Sequence, residues 1–281
     1  MQITDPKDGV RESWIFQAKI NEVDFLPKLT WGRAQSMGSS GMRIGVIGCG
    51  TISSATVHGI AQDGHHISVS ERGAVHARDL AETYENVKIA SNQAVVDASD
   101  VIFLGLMGAV AADVLGALKF REDQKVISFM VDATLEQVGA MVRPANAAAI
   151  MMPFPGISRG GTPIAMLGDA TLVGALFGKR NTIYPLEDAN EMAAYLCAQA
   201  VLSPVARMVN DAAQWLGTRV SDKAQGEAFL RALVASNLSV AQSGALIEAL
   251  NTSGGYNQRL RLHMEARGLS EALASGLSAL E

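Results

Sequence analysis

The 281-residue sequence predicts an α/β protein, an N-terminal Rossmann-type doubly wound parallel sheet followed by a C-terminal all-helical domain, and three features predict it. From Met42 onward, short apolar runs alternate with helical stretches, the pattern of strands covered on both faces by crossover helices. A glycine-bearing turn follows the first of these runs and opens the first helix. Beyond Leu186 strand signals stop, and Ala, Leu, Met and Glu dominate at helical spacing.

Each element can be placed in order. Met42 to Gly48 reads as a buried strand, Ser53 to Gln62 as a helix, and Asp63-Gly64 as the turn into a second strand, His66 to Ser70, which completes a βαβ unit. Further strands are expected at Val87–Ala90, Val101–Leu104, Lys125–Val131, Ala149–Met152 and Thr182–Pro185, so the first domain spans 42–186. In 187–281, helices are expected over Glu187–Leu202, Pro204–Leu216, Asp222–Leu250 and Glu271–Leu280, with Trp215 packed on one helix face. Apolar positions here, among them Phe229, Leu233, Leu238, Val240, Leu246 and Leu250, spill past a single stripe. Such girth needs cover on several sides, and a second subunit supplies it economically, which predicts a homodimer. Residues 1–41 carry Trp14, Phe16, Phe25 and Trp31 among mixed charges with no sustained period. They read as an unassigned extension outside the catalytic unit, or as an arm that docks on a partner subunit.

Composition narrows the function. With 23 basic against 28 acidic residues, a net charge of −5, the chain has no electrostatic footprint for nucleic acid or an anionic membrane surface. Two cysteines, Cys49 and Cys197, make no disulfide framework, which points to a reducing cytoplasm. The longest charge-free apolar run, Val101 to Ala112, falls short of the ~20 residues that cross a bilayer, so no membrane span is expected. The histidines show no metal-helix spacing, and no metal is expected.

The chemistry concentrates at Gly48-Cys49-Gly50-Thr51-Ile52-Ser53. Gly48 permits the tight turn, Gly50 has no side chain to block a phosphate, and Ser53 is small enough for close packing of helix on strand. A diphosphate can then meet backbone N–H groups at the positive end of a helix dipole. The competing reading is a glycine turn that serves packing alone. Downstream, Glu71 can accept hydrogen bonds from ribose hydroxyls, which favours NAD, whereas Ser70 and Arg72 can meet a 2′-phosphate, which favours NADP. The compact Ser-x-Arg pair tips the reading to NADP, with NAD open. Leu106, Met107 and Gly108, past the fourth strand, stand at the C-terminal edge of the sheet, where the coenzyme's ribose–phosphate segment can lie close; the competing reading is a plain loop. Cys49, at a helix N-terminus, is either a reactive thiol or a small residue filling a tight loop. Gly156-Ile-Ser158-Arg-Gly160 fits a serine-hydrolase pattern, but the surrounding prolines and glycines deny it the strand-to-helix turn a nucleophile needs.

The order of glycine loop, strand ending in Ser-x-Arg, Met152-Pro153, helical tail and Thr252-Ser-Gly-Gly-Tyr-Asn-Gln258 resembles the pyrroline-5-carboxylate reductases, from Met42 to about Gly276. The resemblance implies a two-domain, dimeric NAD(P)H-dependent reductase of a cyclic imine or imino acid, with a small substrate carrying a carboxylate. It further implies that the Gly254 and Gly255 amides, with Ser253 and Asn257, receive that carboxylate, and that the nicotinamide lies near Pro153 and Phe154. Departures are specific: Ser253 replaces a proline, Tyr256-Asn257 replaces a Thr-Thr pair, and Phe154 replaces a polar amide. No catalytic side chain is singled out; Ser203, Tyr256 and Asn257 are the candidates for proton donation, and Ser203 reads more readily as the N-cap of a helix from Pro204. Two alternatives stay open. A hydroxy-acid dehydrogenase on the same scaffold would use a lysine of the helical half, where Lys223 is the only one. A non-catalytic dinucleotide sensor would leave no room beside Phe154 and Tyr256.

Overall fold

The structure, a computed structural model, describes residues 41–281, so the sequence readings on residues 1–40 lie outside the described residues. It divides into two compact units, the first ending at Leu196 and the second comprising Cys197–Glu281.

The first unit is built on one eight-stranded sheet: β1 (Arg43–Ile47), β2 (His66–Ser70), β3 (Val87–Ala90), β4 (Val101–Leu104), β5 (Lys125–Ser128), β6 (Asn146–Met152), β7 (Pro163–Gly168) and β8 (Thr182–Pro185), in the order β3-β2-β1-β4-β5-β6-β7-β8. Neighbours pair in parallel except β6 and β7, which run antiparallel. The sequence reading has no β7, because Gly160-Gly161 and Pro163 look like loop punctuation around a short apolar run. β5 also stops earlier than expected: the Ser128 hydroxyl accepts the Met130 N–H at 3.0 Å and turns the chain.

Helices cover both faces: α1 (Thr51–Ile60), α2 (Ala74–Thr83), α3 (Asn92–Asp97), α4 (Gly108–Gly116), α5 (Leu135–Met141), α6 (Ala170–Phe177) and α7 (Ala189–Ala198). Ile44, Val46 and Phe103 pack with Val57 and Ile60 of α1 in one core cluster, while Ile102 and Leu104 pack with Val95 and Val138 in another. Each such fully buried side chain contributes about 1.5–3 kcal/mol. Met192 and Leu196, beyond the boundary read at Leu186, pack with Ile150, Met152 and Leu186, so the unit extends into α7, to Leu196.

The second unit holds α8 (Leu202–Gly217), α9 (Lys223–Val240), α10 (Ser243–Ala249), α11 (Tyr256–Glu265) and α12 (Leu269–Ser278). Where one helix is expected over Asp222–Leu250 there are two, because Ala241 adopts extended backbone (φ −139°, ψ 148°). Asp222 caps α9, its carboxylate accepting the Gln225 N–H at 2.9 Å. Ser203 is no N-cap: α8 already begins at Leu202, after Val201. Trp215, expected in a packed face, is 62% exposed, with the Arg219 guanidinium 4.0 Å over its ring. Leu202, Phe229, Leu233, Leu238 and Leu260 are likewise exposed. The stretch Ala189–Gly217 is long and apolar enough to cross a membrane by length and composition, a span absent from the sequence reading because Glu191, Arg207 and Asp211 interrupt it.

Candidate functional site

Strand order reverses between β1 and β4, and the crevice outside their carboxyl ends is the general ligand position of open α/β sheets. Gly48 leaves β1 with φ +87°, in the left-handed region that a side chain disfavours. A Cβ there would come within 2.5 Å of the Gly105 carbonyl oxygen, so the turns after β1 and β4 touch through backbone. A Cβ on Gly105 would in turn collide with the hydroxyl of buried Ser53, which packs helix against turn.

Gly50 is the N-cap of α1, in ordinary extended backbone (φ −88°, ψ −171°). Among the described residues a Cβ on it would meet nothing within 4 Å, so its missing side chain answers no packing need there. The first turn of α1 carries no acidic residue and no side-chain cap. Ser54 N–H donates to the Gly50 carbonyl at 2.8 Å, which leaves Thr51, Ile52 and Ser53 N–H as the first-turn donors with no carbonyl four residues back to accept them. These point the helix dipole at an open space beside Gly50, an arrangement suited to a diphosphate.

The end of β2 is tied to this turn. Ser70 is completely buried and its hydroxyl accepts the Gly48 N–H at 3.0 Å, so it faces the glycine turn and not solvent. Cys49 N–H donates to the Arg72 carbonyl at 3.3 Å. Gly73 (φ +89°) makes this approach possible, since a Cβ there would collide with the Cys49 carbonyl. Glu71 and Arg72 are exposed. Cys49 is buried, and desolvation pushes its thiol up to about 11, so it fills the loop and is no reactive thiolate.

Of the residues after β4, Leu106 packs half-buried against the core, Met107 is 77% exposed as the N-cap of α4, and Gly108 abuts the Asp132 carboxylate, which a Cβ would strike. Gly108, Met130, Asp132 and Met141 line an open hollow of about 460 Å³. A larger hollow, about 660 Å³, lies between Glu122, Arg143 and Asn146 at the amino end of β6, away from the glycine turn. Pro153 is buried, and Phe154 packs half-buried against the cluster of Met152, Leu186 and Met192. Ser158 closes a 3₁₀ turn, its hydroxyl donating to the Pro155 carbonyl at 3.0 Å, which is no nucleophile's setting. Among the described residues no three His, Cys, Asp or Glu gather to hold a metal ion, and both cysteines are free thiols.

In the second unit the Gly-Gly turn differs from expectation. Gly254 (φ +72°) donates its N–H to the Gln258 side-chain oxygen at 2.8 Å, and Gly255 N–H donates to the Thr252 carbonyl at 2.9 Å. Both glycine amides are therefore committed inside the loop. Arg259 N–H bonds the Gly255 carbonyl at 3.0 Å, so the amides still open at this end are those of Tyr256, Asn257 and Gln258, the first turn of α11. Gln258 is in turn held by Asn251, whose side-chain oxygen accepts from Gln258 at 3.1 Å and from Arg261 at 2.7 Å. Gln258 is absent from the residues singled out in the sequence; its position four residues after Gly254, one helical turn on, is the signal that could have found it. Ser253, Tyr256 and Asn257 are exposed. Ser203 lies within α8, not at its cap.

A mostly parallel sheet whose first strand delivers a glycine turn to an open helix N-terminus at the switch point defines the class: a Rossmann-type α/β protein, here with a helical second unit. Residues 43–132 match the family described as NADP oxidoreductase, coenzyme F420-dependent. No curated protein sequence matches the chain. Among solved structures, 1-pyrroline-5-carboxylate reductase from Streptococcus pyogenes aligns at 20% identity over 86% of this chain and 97% of that one, with a TM-score of 0.72. The NADP-bound pyrroline carboxylate reductase of Plasmodium falciparum aligns at 14% identity over 86% and 97%, with a TM-score of 0.71. Imine reductase from Pseudomonas sp. aligns at 17% identity over 85% and 88%, with a TM-score of 0.57. The chain has the pyrroline-5-carboxylate reductase fold.

Proposed function

We propose that the protein is an NADPH-dependent reductase of a cyclic imine or imino acid. The observation that carries this reading is the amino end of α1, unobstructed at Gly50 and lacking both acidic residues and a side-chain cap. Thr51, Ile52 and Ser53 N–H groups would hold the coenzyme diphosphate. With Ser70 turned inward, recognition of a 2′-phosphate falls to the exposed Arg72, while Glu71 can take a ribose hydroxyl, so NADPH is favoured and NADH is the weaker alternative. The bound coenzyme supplies a hydride.

The substrate carboxylate would rest on the Tyr256, Asn257 and Gln258 amides, where the α11 dipole favours an anion. The protein's part is then to position the two reactants and exclude water. A protonated imine nitrogen already carries positive charge and needs little acid assistance. Tyr256 and Asn257 are the polar side chains adjoining those amides. Lys223 begins α9 close to Gly217, where a Cβ would lie 3.3 Å from its side-chain stem, a packing role that does not favour the hydroxy-acid dehydrogenase reading. The free thiols suit a reducing cytoplasm. The exposed apolar side chains of α8, α9 and α11 support a homodimer.

The test is a spectrophotometric screen of NADPH and NADH oxidation against cyclic imines, keto acids and aldehydes. Turnover with an imine is expected; turnover with a keto acid and no imine would overturn the proposal.

A further inference from the structure

Ser70 ends β2 with no exposed surface, and its hydroxyl oxygen accepts the Gly48 N–H at 3.0 Å, across 22 residues of sequence. A second tether lies beside it, from Cys49 N–H to the Arg72 carbonyl at 3.3 Å, made possible by the missing Cβ of Gly73. Within the turn itself the link is Gly50 N–H to the Gly48 carbonyl at 3.1 Å. The glycine turn is therefore held from β2 as well as from within.

We propose that Ser70 is a positioning residue of the coenzyme site: its buried hydroxyl sets the glycine turn for either coenzyme and takes no part in recognising a 2′-phosphate. This rests on the dinucleotide reading above. A hydroxyl that touched the 2′-phosphate would act on NADPH alone. One that fixes the turn acts on every ligand needing the diphosphate cradle, because without it the ligand itself must order the loop.

Equilibrium fluorescence titrations of the full chain with NADPH and with NADH, on wild type, Ser70→Ala, Ser70→Thr and Arg72→Ala, separate the two roles. Ser70→Ala is expected to weaken both coenzymes by about tenfold, the scale of one lost hydrogen bond with a stranded donor, and to leave the ratio of the two Kd values within about twofold. Ser70→Thr keeps the oxygen and is expected to restore binding of both; Arg72→Ala is expected to weaken NADPH alone. Should Ser70→Ala fail to fold, Ser70→Cys, nearly isosteric with a poor acceptor, reads the same contrast. Loss confined to NADPH, or no loss with either coenzyme, would overturn the proposal. Wild-type protein that binds neither coenzyme would instead refute the dinucleotide reading itself, and the role of Ser70 with it.

Discussion

Replacing Gly50 with leucine separates a coenzyme-binding glycine from a packing glycine. The backbone at Gly50 is one that any residue adopts, and among the described residues a Cβ there meets nothing within 4 Å. Folding stability should change by about 1 kcal/mol or less, the scale of an N-cap or surface substitution. Binding should respond very differently, because the leucine would occupy the approach of the diphosphate to Thr51 and Ile52 N–H. A hydrogen bond to a charged group contributes about 1.5–3 kcal/mol, so losing two costs about 3–6 kcal/mol, a factor of roughly 10² to 10⁴ in Kd. The assay pairs urea unfolding with NADPH fluorescence titration. Gly48→Ala is the control of opposite sign, since positive φ and the Gly105 carbonyl make it costly to fold. A Gly50→Leu protein that keeps its NADPH Kd within about threefold of wild type would refute the assignment of this turn to a diphosphate.

Three further outcomes follow from other parts of the structure. Burial holds the His65 pKa below its ordinary value, only partly offset by Asp63, and neutral His65 accepts the Met42 N–H through Nδ1 at 3.2 Å. Its folded pKa being the lower one, this contribution is fully present above about pH 6.5 and is lost as pH falls from there toward the folded value. His65→Gln should therefore flatten the dependence of Tm on pH between about 7.5 and 5.5, and an unchanged slope would count against the assignment. Gly254→Ala introduces no contact but forces a side chain into φ +72°, so it should shift the loop and raise KM for a carboxylate-bearing imine by about tenfold or more while NADPH affinity holds. A loss of NADPH binding instead would dissociate the Gly-Gly turn from substrate. Sedimentation equilibrium should give a dimer of the 29.6 kDa chain; a monomer at all concentrations would remove the explanation for the exposed Phe229, Leu233 and Leu260.

The glycine turn was legible because everything that defines it is local: an apolar strand, two glycines and a helix in one short stretch. The parts played by Gly73 and Ser70 are not legible in the sequence, although both lie close to the motif's second strand. Their roles depend on the Cys49 carbonyl and the Gly48 amide, which only chain reversal through α1 brings near. The same holds in the helical unit, where Thr252 to Gln258 was visible as a loop. That its glycine amides are spent on Thr252 and Gln258 was not, because sequence spacing does not show which acceptor an amide meets.

By itself, then, the sequence determined the alternation of strand and helix, the helical second half and the placing of a phosphate-sized turn at the start of α1, all governed by hydrophobic period and backbone freedom over a few residues. Tertiary structure decided that β7 runs antiparallel, that Ser70 faces inward while Arg72 faces solvent, and that α11 offers the amides of Tyr256, Asn257 and Gln258 in place of the glycines. These follow from hydrogen-bond partners and packing neighbours, and a side chain's partner is set by the fold around it.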